Sequence, residues 1–163
     1  MKSIHPPVRI RALKEADIPA CVALLTDVFR DASIDYRIQK LGGGTSWKRI
    51  KGAAVRQTAR DDVANGRGGC FVALRGERIV GYISTTVNPV ASRGCICDLA
   101  VAADCQGLGI GRKLIRRALR RFRQLGLHQA KIETIDTNLA GQHLYPQLGF
   151  VEVARQIHYA LPL

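Results

Sequence analysis

The chain reads as one α/β domain, residues 1–163, with a mixed, mostly antiparallel twisted sheet of about seven strands flanked by about four helices. Three observations predict it. Short alternating or apolar runs recur between turn signals, as strands of one sheet do. Helical periodicities separate some of these runs, and the clearest is Ile110, Leu114, Ala118, Phe122 and Leu125, joined by Ile115 and Leu119. A glycine-rich bend, Gln106-Gly-Leu-Gly-Ile-Gly111, couples one strand directly to that helix.

The elements follow in order. Val8–Leu13 alternates and forms the first strand. A helix begins near Glu15–Pro19, with Asp17 as its cap and Pro19 in the first turn, where a missing N–H costs little; Ile18, Val22, Leu25 and Phe29 give its apolar stripe. Asp31–Gly44 is polar and glycine-broken, hence a loop. Thr45 or Ser46 caps a second helix through Trp47, Ile50 and Val55 to about Asp62. After the turn-rich Ala64–Gly69, Cys70–Leu74 and Ile79–Val87 pair through the turn Arg75–Arg78. Asn88–Gly94 is a loop and Cys95–Val101 a strand. The long helix runs from about Gly109 to Leu125 and stops at Gly126. Ala130–Ile135 is a strand, Thr137 or Asn138 starts a short helix to Leu148, and Phe150–Val153 and Gln156–Leu161 close the chain as two paired strands. The resulting order is β-α-α-β-β-β-α-β-α-β-β.

Composition narrows the class. One hundred and sixty-three residues, 47% of them hydrophobic, suit one sizeable core. No apolar run approaches the ~20 residues needed to span a bilayer. Met1–Pro7 lacks an apolar signal core, so a cytoplasmic location is expected. The five cysteines, Cys21, Cys70, Cys95, Cys97 and Cys105, are odd in number and too few for a disulfide scaffold. No histidine cluster completes a zinc set, so no metal is expected. The net charge of +12 is high, and Arg112, Lys113, Arg116, Arg117, Arg120, Arg121 and Arg123 crowd the long helix. They fill its face opposite the apolar stripe, as a solvated face would. Arg112, and less so Lys113, stand close enough to the bend to help hold phosphates; whether the rest meet an anionic partner stays open.

The bend carries the chemistry. Glycine accepts positive φ and lets backbone approach a ligand, and a helix start offers unpaired N–H groups at the positive end of a dipole. Together they make a cradle for a phosphate or pyrophosphate. The spacing is not that of a P-loop, because no Gly-Lys-[Ser/Thr] follows. It is not the dinucleotide fingerprint either, because Gly107-x-Gly109-x-Gly111 has the wrong interval and lies late in the chain.

Gln106-x-x-Gly109-x-Gly111, with Leu99-Ala-Val101 before it and Asn138 and Tyr145-Pro-Gln-Leu-Gly-Phe150 after it, resembles the acyl-CoA loop and flanks of the GNAT superfamily of N-acyltransferases. Val8–Ile18 also looks like that family's first strand and helix entry, so the resemblance covers nearly the whole chain. It implies a GNAT fold whose sheet splays at the cofactor strand, and direct transfer of an acetyl group from acetyl-CoA to a primary amine in a ternary complex. The backbone of Gln106, Gly107, Leu108, Gly109, Ile110, Gly111 and Arg112 would take the pyrophosphate. The edge of Leu99, Ala100 and Val101 would take the pantetheine arm, with the N–H of Leu99 or Val101 on the thioester oxygen. Asn138 would bond the cofactor arm, or cap a helix, or both. Tyr145 would protonate the leaving thiolate, seven residues after Asn138 as the family has it. Glu133, twelve residues before Tyr145, matches the interval in ribosomal-protein N-terminal acetyltransferases and is the candidate general base, with Asp98 in reserve.

The chain departs from the family pattern twice. Gly141 stands where the family usually has Ala, and Pro146 follows Tyr145, where an interior proline would cost about 3 kcal/mol. Three functions remain open: the acetyltransferase, acting on a small amine, a peptide N-terminus or a lysine; a coenzyme A-binding sensor without catalysis; and an RNA-directed acetyltransferase using the basic helix. The two final strands leave open a homodimer in which they pair between copies.

Overall fold

The computed structural model describes residues 7–30, 32–42, 44–65 and 69–163. The N-terminal leader reading and the centre of the Ala64–Gly69 turn fall outside those residues. Five strands form one sheet in chain order: β1 (Val8–Ala12), β2 (Phe71–Arg75), β3 (Arg78–Asn88), β4 (Arg93–Val101) and β5 (Gln129–Ile132). The first four pair antiparallel, and β4 pairs with β5 in parallel. The β2–β3 turn has Gly76 at φ +63°, as a tight hairpin requires.

Helices cover both faces. α1 (Ile18–Val28) and α3 (Trp47–Ala64) bury Ile18, Cys21, Leu25, Val55 and Ala59 against Val72, Leu74, Tyr82 and Ala100. On the other face α4 (Ile110–Gln124) buries Ile110, Leu114, Ile115, Ala118 and Phe122 against Phe71, Ala73, Val80, Ile83 and Ile96. Each such large side chain is worth about 1.5–3 kcal/mol of apolar burial. Gly94 makes the closest fit: a Cβ there would stand 2.4 Å from the Phe122 ring, so α4 rests directly on the β4 backbone. The arginines of α4 take the outer face as expected, except that Arg117 lies over the Phe71 ring, 4.7 Å from its centroid.

Several expectations are corrected. The Asp31–Gly44 stretch contains a helix, α2 (Ile34–Gln39). It forms because Tyr36 meets Trp47 edge-on at 5.8 Å and Gln39 Oε1 accepts the Trp47 N–H at 2.8 Å. That last bond also replaces the expected side-chain cap of α3 by Thr45 or Ser46. Asp17 does not cap α1. Its carboxylate takes both arms of Arg11, at 2.6 and 2.9 Å, and the Lys14 N–H at 2.8 Å. The helix begun at Asn138 ends earlier, as α5 (Leu139–Leu144), followed by a 3-10 turn over Pro146–Leu148. Pro146 therefore opens a new turn and breaks no helical bond. β5 stops at Ile132, three residues short. Residues 151–163 form no strand, so among the described residues the sheet has five strands and not seven. Among the described residues no helix is long and apolar enough to cross a membrane.

Candidate functional site

The site begins with an irregularity in β4. Thr85 pairs with Ile96 and Ser84 with Asp98, which leaves Cys97 as an extra residue on β4. Such a bulge bends a strand. It also switches faces: Ile96 packs under α4, whereas Asp98 and Ala100 turn toward α1 and α3. β5 accompanies β4 only from Arg93 to Ile96. From Cys97 to Val101 no strand among the described residues covers the β5 side, so the sheet opens there. Ala102 N donates to Val80 O at 2.9 Å. By the alternation of an antiparallel ladder, the amides of Leu99 and Val101 then point to the uncovered edge.

That edge runs into the bend. Gln106 Nε2 donates to Val101 O at 3.2 Å and ties the bend to the end of the strand. Gly107 and Gly109 hold φ of +76° and +73°, and no atom lies within 4 Å of where their Cβ would stand, so both face open space. Gly109 is the N-cap of α4, and the first intrahelical bond is Lys113 N to Gly109 O at 3.1 Å. The helix itself therefore leaves the Ile110, Gly111 and Arg112 amides without acceptors. Ile110 is buried and anchors the turn, while Leu108 is exposed beside it. A Cβ on Gly111 would touch Leu144, Val101 and Leu99 at 3.5–4.0 Å, which puts bend, strand end and α5 side by side. The donor set and its open glycines fit a pyrophosphate. The Arg112 guanidinium bonds Gln147 Oε1 at the surface beside the bend. Its backbone N–H remains in the cradle.

The α5 corner supplies side chains. Asn138 caps α5, its Oδ1 accepting from Gly141 N at 3.1 Å and its Nδ2 donating to Thr134 Oγ1 at 2.8 Å. Tyr145 is half-buried, edge-on to Phe150 at 6.2 Å, and its hydroxyl bonds Thr134. Burial raises the phenol's pKa above its ordinary value, and the Thr134 bond pulls it partly back. Gly141 explains the first departure from pattern. A Cβ there would lie 3.0 Å from the Tyr145 hydroxyl and 2.8 Å from Asn138 Nδ2, so the missing methyl is the space in which the phenol rests. Thr134 escaped the sequence reading, since only its spacing of four before Asn138 hinted at it.

The carboxylates differ. Glu133 lies one residue beyond β5, its side chain 69% exposed and paired with Lys131. Asp98 is buried; Ser84 Oγ donates to it at 2.8 Å and Lys51 Nζ holds its other oxygen. This occupied ion pair, which joins α3 to β4, does not resemble a free base. The thiols of Cys21 and Cys70 are pushed up to about 12 by burial and are inert at neutral pH. Among the described residues no cluster of histidine, cysteine and carboxylate could hold a metal.

Comparison with known proteins agrees with this geometry. The profile of the family described as Acetyltransferase (GNAT) family matches residues 26–150. A mycothiol acetyltransferase of Geodermatophilus obscurus is 33% identical over 96 residues, 56% of this chain and 31% of that protein. The N-alpha-acetyltransferase 30 of Homo sapiens is 34% identical over 95 residues, 56% of this chain and 26% of that protein. The chain thus spans about a third or less of these two relatives. A GCN5-related N-acetyltransferase from Ralstonia eutropha superposes with a TM-score of 0.72 at 22% identity, over 94% of this chain and 99% of that one, and shares the fold.

Proposed function

The chain belongs to the GNAT acetyltransferase family, and from that premise we propose that it transfers an acetyl group from acetyl-CoA directly to a primary amine. One observation carries the reading: the uncovered β4 edge at Leu99–Val101 leads straight into a bend whose glycines and free amides face open space.

Each residue then has a task. The amides from Gln106 to Arg112 hold the diphosphate, aided by the α4 dipole. The Leu99–Val101 edge pairs with the pantetheine amides as a strand would, and the N–H of Leu99 or Val101 bonds the thioester carbonyl. That bond strengthens as charge develops on the oxygen, and a well-aimed donor of this kind is worth about 2.7–4 kcal/mol. Tyr145, kept neutral by burial, donates the proton that the leaving thiolate requires. Asn138 positions both Thr134 and the start of α5. Glu133, at the solvent end of β5, receives the ammonium proton through water. Acetyl-CoA supplies an activated thioester; the chain orients it and manages two protons.

Arg117 lies on Phe71 and Arg112 bonds Gln147, while Lys113, Arg116, Arg120 and Arg123 of the same helix are exposed, so RNA substrates belong in the test as well. The test is thiol release from acetyl-CoA across a panel of small amines, peptides and lysine substrates. Amine-dependent release that disappears in Tyr145→Phe supports the proposal; coenzyme A binding without release on any amine favours the sensor.

A further inference from the structure

The outer face of α4 holds charge that neither the core nor the thioester chemistry uses. Over Ile110–Gln124 the helix has seven basic residues and no acidic one. Arg112, Arg117 and Arg121 have partners within the chain, the first two being Gln147 and the Phe71 ring. Lys113, Arg116, Arg120 and Arg123 are exposed, and among the described residues none of these four side chains has an ion-pair or hydrogen-bond partner. Their spacing of three, four and three residues sets them on one stripe, at axial steps of about 4.5, 6 and 4.5 Å. Like charges so placed repel one another. An ordinary solvated helix face relieves that repulsion with carboxylates of alternating sign one turn away. This stripe has none.

The stripe also borders a hollow. Arg116, Arg120 and Arg123 line a surface concavity of about 340 Å³ with Leu119, Gln147 and Leu148. Three guanidiniums and no carboxylate surround it, and a guanidinium fork matches phosphate oxygens two at a time. The neighbouring side chains then select among anions. A protein partner needs an apolar anchor at the centre of the contact, but Leu119 and Leu148 are half-buried. Single-stranded nucleic acid binds on aromatic platforms, and Phe122, the one aromatic residue of α4, is buried against the sheet. Reading bases in duplex DNA calls for Asn, Gln, Ser or Thr among the cations, and Lys113–Arg123 contains none of these. A phosphodiester backbone read by spacing alone remains. A-form sugars hold successive phosphates closer together than B-form sugars do, and duplex RNA is recognised largely through shape and phosphate.

We propose that the outer face of α4 docks the phosphate backbone of duplex RNA without regard to base sequence, and that this RNA is a docking partner and not the acetyl acceptor. The stripe points away from the sheet, while the opposite side of α4 packs onto it. The helix therefore stands between the docked backbone and the β4 edge. The stripe starts one turn beyond Gly109, so the diphosphate cradle and the RNA site lie end to end on the same helix.

The full chain is titrated against a short fluorescent RNA duplex of mixed sequence, at several salt concentrations and without acetyl-CoA. Each phosphate neutralised contributes about 0.9 to the slope of log affinity against log salt. Arg116→Gln with Arg120→Gln and Arg123→Gln should flatten that slope by about 2–3 and weaken binding at least about tenfold at low salt. Lys48→Gln with Arg49→Gln and Arg60→Gln removes three exposed charges from α3 and should change neither. Saturating coenzyme A should leave the RNA bound, and the RNA itself should release no thiol from acetyl-CoA. No salt-dependent binding, an equal loss in the α3 variant, displacement by coenzyme A, thiol release on the RNA, or equal affinity for a DNA duplex of the same sequence each overturns the proposal. Should the α4 variant fail to fold, the parent's RNA-against-DNA comparison and the coenzyme A competition still decide. Absence of turnover on every amine would sink the acetyltransferase reading alone, because docking is read without it.

Discussion

The glycine bend and the α5 corner border the same strand edge but are built from opposite materials. The bend works with backbone: positive φ at Gly107 and Gly109, unpaired amides at Ile110–Arg112, and open space where side chains would be. The corner works with side chains: Asn138, Thr134 and Tyr145 bond one another over the bare Cα of Gly141. A backbone site is sensitive to conformation and indifferent to most neighbouring side chains. A side-chain site depends on each member. The two halves should therefore fail differently, one in cofactor affinity and the other in turnover.

Substitutions can separate them. The largest effect belongs to Tyr145→Phe, which keeps the ring and its Phe150 contact but removes the acid. We expect kcat to fall about 10²–10³-fold, with coenzyme A affinity nearly unchanged in a calorimetric titration. Equal loss of affinity would show that the phenol holds the cofactor instead. Gly109→Val comes next. Its Cβ meets nothing in the chain itself, so the left-handed backbone alone costs at least about 1–2 kcal/mol, or roughly 5–30-fold weaker coenzyme A binding, before any contact of the valine with the diphosphate. Unaltered binding by Gly109→Val would remove the backbone-cradle account.

Smaller effects probe the corner. Gly141→Ala restores the usual family residue yet drives a methyl against the Tyr145 hydroxyl and Asn138. Turnover should drop about tenfold while KM for acetyl-CoA moves less than about twofold. A variant as active as the parent would show that the phenol works from another rotamer. Thr134→Val has the mildest consequence. An acid with a raised pKa keeps its proton up to and beyond its ordinary value near 10, so the alkaline limb of kcat should lie above that pH. Thr134 stabilises the phenolate; without it the limb moves to still higher pH, with little change at pH 7. A limb that moves downward would reverse the sign and reject this role for Thr134.

Much of this contrast was legible in the residues. The bend announces itself because glycines at Gly107 and Gly109 and the stripe of α4 are local signals. The splay was implied by family resemblance, and its cause, the bulge at Cys97 together with an early end to β5, is a pairing event that no single strand displays. α2 was hidden because its turns depend on Trp47 and on a bond from Gln39 to the next helix. Gly141 read as a defect until the phenol was seen lying over it. Asp17 and Asp98 looked like a cap and a spare base, yet each is bound by a cation from another element, Arg11 of β1 and Lys51 of α3. The two expected final strands were read from the alternation in Val151–Leu161, but alternation alone does not supply a pairing partner, and residues 151–163 form no strand.

The central claim is that main-chain amides of the bend, more than any side chain, hold the diphosphate. Amide nitrogen–proton NMR during a coenzyme A titration tests it most directly. The account predicts saturable shifts that are largest at Gly107–Arg112, and their loss when pantetheine, which lacks the diphosphate, replaces coenzyme A. Saturable binding that leaves those amides unmoved would contradict it.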